Sequence, residues 1–236
     1  SDERIERIAS WIELPSALLD LDAGDTTIGH VDSTGKAPWG YMQDVADTEA
    51  GVLFIGTTGL VTLHNRTRGY GSSAAVDVSV SAEVIDPGVR LSSGIAGVVN
   101  DITVSRPGGA TVRVVDSVSV STYGVLGEAI DTIGDSDLDA LNRANWELAT
   151  RSTPVVKLPE LTLDGLTEPA SAADVRALDI GSRIEVTDLP AQAPESIADL
   201  RVQGYTERIG AGGWTVTANT TPYLAVTSLI LDDPVR

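Results

Sequence analysis

The chain has 236 residues, 42% of them hydrophobic, enough to bury a substantial core as one large domain or two small ones. Its 34 acidic residues outnumber 16 basic ones, of which only Lys36 and Lys157 are lysines. The resulting net charge of −18 argues against non-specific DNA binding on the outer surface, because phosphate affinity comes mainly from basic side chains releasing counterions. With no cysteine, disulfides, thiolate nucleophiles and Cys-based zinc or iron–sulfur sites are excluded, and His30 and His64 alone leave little material for a catalytic triad or a multi-histidine metal centre.

In chain order, SDERIERIASW predicts a short charged helix rather than a signal peptide, with Ile5, Ile8, Ala9 and Ile12 at helical spacing and Pro15 closing the pattern. No apolar run reaches the roughly 18 residues needed to span a bilayer, so a soluble chain is expected. After the turn-rich LDLDAGDTT, a second helix is predicted in APWGYMQDVADTEAG, where Met42, Val45, Ala46 and Glu49 share a side and Gly51 supplies the stop. VLFIGTTGLVTLHNR reads as a hairpin turning through Gly56 to Gly59. From about residue 75 the period becomes two: Val76, Val78 and Val80 alternate with Asp77, Ser79 and Ser81. VVNDITVSR, a reversal at Gly108 and Gly109, and ATVRVVDSVSVS form a second hairpin candidate, with Asn100 and Asp101 read as turn formers at the strand start. DSDLDALNRANWELATR is a predicted helix near 136–151, with Leu138, Leu141, Asn145 and Leu148 on one face and Asp135 or Ser136 as cap. VVKLPELTLD, GSRIEVTDLP, DLRVQGYTERI and GGWTVTANTTP are strand candidates, with Trp214 and Val216 alternating toward a core and Gly181 and Gly204 at turns or bulges. Short strands divided by Pro, Gly and Asp argue a small antiparallel barrel or sandwich.

The stretch from Val98 to Asp164, through VVNDITVSRPGGATVRVVDSVSVSTYG and the capped helix ending NWELATRSTPVVKLPELTLD, resembles minor tail proteins (tail hub or baseplate hub) of long-tailed phages that infect actinobacteria. ALDIGSRIEVTDLPAQAPESIADLRVQGYTERIGAGGWTVTANTTP is similar to the hub barrel's order of strand, proline-rich loop, strand and strand, and ADTEAGVLFIGTTGLVTLHNR is similar to the family's upstream hairpin. The resemblance implies an α+β, β-dominated fold: small antiparallel β-barrels of tail-hub type with a helix-containing insertion. The expected divisions are a helix-helix-hairpin unit at 1–70, barrel strands with the helix at 71–153, and an antiparallel barrel at 154–236. One barrel is expected to be complete and the other partial. The start at Ser1 without methionine and the end at DDPVR are those expected of a piece excised from a longer protein.

The resemblance also implies a role. Three copies, each with two similar barrels, would present a pseudo-sixfold surface to the hexameric tail ring and threefold symmetry below it. The implied partners are copies of the chain in a homotrimeric ring, the distal tail protein and tail tube ring, downstream fibre or spike proteins, and phage DNA in transit through the channel. The expected location is the virion tail tip, assembled in the host cytoplasm, and no enzyme activity, cofactor, catalytic residue or metal site is implied.

Sharper readings of single motifs compete with plainer ones. Asp20, Asp22 and Asp25 in DLDAGD offer oxygens at alternate positions as a calcium loop does, but no spaced terminal glutamate follows, and turn aspartates suffice. Asp131, Asp135, Asp137 and Asp139 suit helix capping and dipole complementarity. His30 and His64 read as surface or strand histidines, and GYGSSA at 69–74 as a loop too poor in glycine to cradle phosphate. No GxSxG or HExxH string supports a hydrolase. Trp11, Trp39, Trp146 and Trp214 could stack on sugars, which leaves a carbohydrate- or receptor-binding β-module as the alternative function, although core or interface anchoring is the commoner role.

Overall fold

The computed structural model describes residues 1–32, 34–68, 74, 76–79, 92, 94–166, 169–189, 191, 193 and 197–223. Its first elements are α1 (Asp2–Trp11), β1 (Leu19–Leu21), α2 (Pro38–Glu49), β2 (Val52–Ile55), β3 (Val61–His64), β4 (Val76–Ser79), β5 (Asp101–Ser105) and β6 (Val112–Val115). Then follow α3 (Ser117–Tyr123), β7 (Gly127–Asp131), α4 (Asp137–Arg151), β8 (Glu160–Asp164), α5 (Pro169–Ala177), β9 (Arg183–Thr187), β10 (Ala198–Gly210) and β11 (Gly213–Pro222). The fold is mixed α+β and β-dominated, with three small sheets among the described residues. The chain divides into two compact units, each assembled from two separated segments: Ser1–Arg68 with Gly97–Thr153, and Gly69–Ala96 with Pro154–Arg236.

In the first unit, helical spacing puts Ile5, Ile8 and Ala9 of α1 against Tyr41, Met42, Val45 and Ala46 of α2, and both helices cover Leu63 of the sheet. Ile12 falls outside the stripe that periodicity assigns to it, because the helix ends at Trp11 and Ile12 becomes its half-exposed cap. The sheet order is β1-β3-β2: β2 and β3 form the expected hairpin, with Gly59 at φ +81°, while β1 adds to β3 in parallel. Ala50, not Gly51, takes the left-handed conformation that ends α2. Gly51 is required for another reason, since a Cβ there would stand 2.5 Å from the His64 carbonyl oxygen.

The second half of this unit is the sheet β6-β5-β7, in which β5 and β6 form the predicted hairpin around Gly108 (φ +70°) and β7 pairs with β5 in parallel. The alternating run SVSVS does not extend β6. Asp116 accepts hydrogen bonds from the N–H groups of Val118 and Ser119, both at 3.0 Å, and this cap turns the run into α3. On α4 the predicted cap Ser136 holds, accepting from Asp139 N at 3.0 Å, but the buried face is rotated. Ala140, Ala144 and Leu148 pack on Val99, Ile102 and Val104, whereas Leu138 and Leu141 are 63% and 38% exposed.

In the second unit the sheet order is β4-β9-β10-β11-β8, with β4 parallel to β9 and every other pair antiparallel. The alternation predicted for these strands is realised on one face, where Leu161, Leu163, Ile184, Val186, Leu200, Val202, Trp214, Val216 and Ala218 make the core. Gly204 lies where the β10–β11 register shifts, and Gly181, at φ +90°, donates its N–H to the Val202 carbonyl at 2.8 Å. Helix α5, which the sequence reading did not foresee, adds Val175 to this core. The sheet ends in two different strands, β4 and β8, so the barrel expected here is open among the described residues. The Val80 and Ser81 end of the β4 alternation lies outside them, as does the 69–74 loop reading apart from Ala74.

Candidate functional site

The most heavily buried ionisable group described is Glu49, on the last turn of α2 and fully buried. Its Oε2 accepts from Thr26 N at 2.9 Å and Ser1 Oγ at 3.0 Å, its Oε1 accepts from Asp25 N at 3.2 Å, and Arg66 Nε stands 3.9 Å away. A carboxylate whose oxygens are met by backbone N–H groups, a hydroxyl and a cation ties a loop to a helix. Its position beside Met42, Val45 and Ala46 on an otherwise apolar helix face was the signal in the sequence.

A second polar group runs along α4. Arg143 Nη2 meets Glu147 Oε1 at 2.8 Å, and Arg151 reaches Glu147 at 3.1 Å and Glu128 of β7 at 2.5 and 2.8 Å. Burial presses the Arg143 pKa below the usual arginine value against the pull of Glu147, while the Arg151 hydrogen bond holds the Glu128 carboxyl below its ordinary range. Alternating charges of this kind cross-brace a helix and a strand.

A cavity of about 470 Å³ in the first unit is lined by Asp44, Asp47, Lys36, Arg106 and Asp131 among others. Lys36 pairs with Asp44, Arg106 Nε donates to Asp137 at 2.6 Å, and Asp131 accepts from the Ser105 hydroxyl. Burial and then the neighbouring Asp44 push the Asp47 pKa up, opposed by Arg143. The wall thus carries one perturbed carboxyl among charges already engaged with protein partners.

The residues singled out in the sequence are scattered rather than gathered. Asp20 lies exposed in β1, Asp22 accepts from Arg68 Nη1 at 2.5 Å and Asn65 N at 3.2 Å, and Asp25 faces Arg66 Nε at 3.8 Å. Asp137 is held by Arg106 and Ala110 N, and Asp139 by the Ser136 hydroxyl. Among the described residues no group of three or more His, Asp or Glu side chains is arranged to hold a metal ion. His30 is exposed, and His64 is buried in β3 with its ring edge-on to Phe54 at 4.9 Å. Trp11 and Trp39 are 58% and 36% exposed, Trp146 is half-buried on α4, and Trp214 is buried with its Nε1 donating to Glu207 at 2.6 Å and Arg176 over its ring.

Sequence reasoning missed the role of Asn100. Read as a turn former, it is instead fully buried, donating from Nδ2 to the Gly124 carbonyl at 2.8 Å and to Ser119 Oγ at 3.2 Å, and accepting at Oδ1 from Leu126 N at 2.8 Å. It pins the segment leading from α3 into β7 onto the start of β5.

The sequence matches no protein-family model and no curated protein. Solved structures do match the fold. The tail protein from Neisseria meningitidis MC58 superposes with a TM-score of 0.62 at 10% identity, over 92% of this chain and 65% of that one. The 43 kDa tail protein of prophage MuSo2 from Shewanella oneidensis gives 0.57 at 16% identity, over 92% and 62% of the two chains. Prophage tail protein gp18 from Listeria monocytogenes EGD-e gives 0.50 at 9% identity, over 97% and 67%. The chain therefore shares their fold while spanning about two thirds of their length. No helix among the described residues is long and apolar enough to cross a membrane.

Proposed function

We propose that the chain is a structural component of a phage tail tip, forming part of the hub or baseplate ring that joins the tail tube to distal fibre or spike proteins. The carrying observation is the likeness of fold to two tail proteins, one of them from a prophage, over 92% of the chain. The tail-hub motifs between Val98 and Pro222 support the same reading and extend it to phages of actinobacteria. The mechanism is assembly: sheet edges and apolar patches bury against neighbouring copies and against the tail tube ring, with three copies closing the ring. Excess carboxylates face the channel, where they repel the phosphate backbone and keep DNA from sticking in transit.

Electron microscopy of purified tails carrying this chain tests the placement. Density for it is expected just below the last tube ring, with an acidic channel wall; density confined to a fibre tip, or a neutral or basic wall, overturns the reading. The purified chain is expected to be enzymatically inert, so peptidoglycan zymography should show no clearing zone.

The exposure of Trp11 and Trp39 favours a second reading, a carbohydrate- or receptor-binding module of a phage tail. Glycan-array binding that is lost in Trp11→Ala or Trp39→Ala would establish it in place of the ring role.

A further inference from the structure

Asp164–Gly165 is the sole Asp–Gly pair in the chain, and no Asn–Gly pair occurs. The pair is chemically reactive because glycine presents its amide nitrogen to the preceding carboxyl with no side chain in the way and with a permissive backbone. In that reaction the Gly165 nitrogen attacks Asp164 Cγ, an N–Cγ bond forms, and the amide proton leaves with the carboxyl hydroxyl as water, closing a succinimide ring. Water then adds back. Cleavage of the N–Cγ bond restores aspartate, whereas cleavage of the bond between Gly165 N and the Asp164 backbone carbon leaves isoaspartate, with one extra methylene in the main chain. Nothing is oxidised or reduced, and no enzyme or co-reactant is needed.

The fold holds each participant in this reaction. Asp164 ends β8 and sits opposite Thr215 in the ladder, and the extended backbone of a strand keeps Cγ and the next amide nitrogen well apart about the Cα–C bond. The attacking atom is engaged, since Gly165 N donates to the Trp214 carbonyl at 2.9 Å. Gly165 is buried against the Trp214 ring, with no room for even a methyl group between them. The Asp164 carboxylate is engaged as well, accepting from Leu166 N at 2.9 Å. The indole is itself fixed: its Nε1 donates to Glu207 at 2.6 Å, and Arg176 lies over the ring at 5.3 Å. Yet β8 is an edge strand of five residues whose only sheet neighbour among the described residues is β11. Its detachment leaves the other ladders of the sheet intact, and such local opening costs less than global unfolding.

We propose that Asp164–Gly165 is a gated site of isoaspartate formation, with Trp214 as the gate. While β8 is paired and the indole lies over Gly165, the ring cannot close; when β8 lifts from β11, the amide nitrogen is released and the backbone can turn toward Cγ. The product fixes the open state, because an extra main-chain atom at the end of β8 breaks its register with β11. This goes beyond the tail-tip reading and is independent of it, since the reaction needs only the chain and water.

Ageing the purified chain at physiological pH, folded and in urea, tests the proposal, with isoaspartate at Asp164 read by chromatographic peptide mapping and mass spectrometry. The unfolded chain should accumulate isoaspartate at Asp164, and the folded chain should do so at least about tenfold more slowly, because the reaction waits on local opening. Trp214→Leu should raise the folded-state rate. Glu207→Ala, which frees the indole by removing an exposed side chain, should raise it too and keeps the test open where Trp214→Leu fails to fold. Urea melts of each variant give its unfolded fraction, and a gate at Trp214 raises the Asp164 rate by more than that fraction accounts for. Equal rates in the folded and unfolded chain, no isoaspartate at Asp164 in urea, or variant rates that merely follow the unfolded fraction overturn the proposal.

Discussion

At the scale of the residue, Asn100 makes three side-chain hydrogen bonds inside the first unit while fully buried. Asn100→Ala leaves the Leu126 N–H and the Gly124 carbonyl without their partner and should cost about 2–3 kcal/mol in urea unfolding. Asn100→Asp should also destabilise, because a carboxylate cannot donate to the Gly124 carbonyl. Two carboxyls should give opposite pH signatures. Asp47 has a folded pKa raised by burial and then by Asp44, so its ionised form costs stability at neutral pH and that cost vanishes as pH falls through the raised value. Asp47→Asn is therefore expected to stabilise at neutral pH and to lose its advantage in acid. Glu128 has a folded pKa lowered first by its hydrogen bond to Arg151, so its stabilisation is present above the unfolded value and is lost as pH falls through the lowered one. Glu128→Gln should destabilise at neutral pH, with the difference from the parent chain closing in acid.

At the scale of the element, local rules compete and capping decides some of the outcomes. The run SVSVS has the period of a strand, but Asp116 offers its carboxylate to two N–H groups of a helical first turn, and α3 results with Val118 74% exposed. Asp116→Ala should cost about 1 kcal/mol and raise hydrogen exchange across residues 117–123 first; unchanged exchange there would refute the capping account. Elsewhere the local pattern was sufficient. The β2–β3 and β5–β6 hairpins form where glycine turns follow β-rich runs, and β8, β9, β10 and β11 form where alternation was visible. Strands β1 and β7 and helix α5 were not legible, because three to nine residues of mixed polarity carry too little periodicity to stand out. Glycines act at this scale too. Gly165 lies flat against the Trp214 ring, so Gly165→Ala must displace the indole from the core and should lower the unfolding midpoint of the second unit.

At the scale of the whole molecule, a net charge of −18 on 236 residues makes self-repulsion a standing cost of the compact state. Adding salt from a few millimolar to about 0.15 M, where the screening length is roughly 8 Å, should raise the thermal midpoint. A midpoint that falls instead would show that the surface ion pairs outweigh the repulsion. If the proposed channel placement holds, the same charge would repel the phosphate backbone there. Both units are discontinuous in sequence: β4, which precedes the second segment of the first unit, pairs with β9 in the sheet of the second.

Periodicity, caps and glycine turns are properties of neighbouring residues, and through them the sequence by itself determined α1, α2, α4, two hairpins, the four long-patterned strands and the mixed, β-dominated class. Charge and residue counts likewise limited the chemistry before any fold was known. Only the tertiary structure decided that β1 joins β3 and β4 joins β9 in parallel, that the end sheet stays open among the described residues, that Asn100 is a buried tie, and that α4 buries alanines rather than Leu138 and Leu141. Those outcomes depend on contacts between residues far apart in sequence, where the available partner surface chooses which face of an element is buried, and a helix with two apolar faces satisfies the local rule equally well with either one inward.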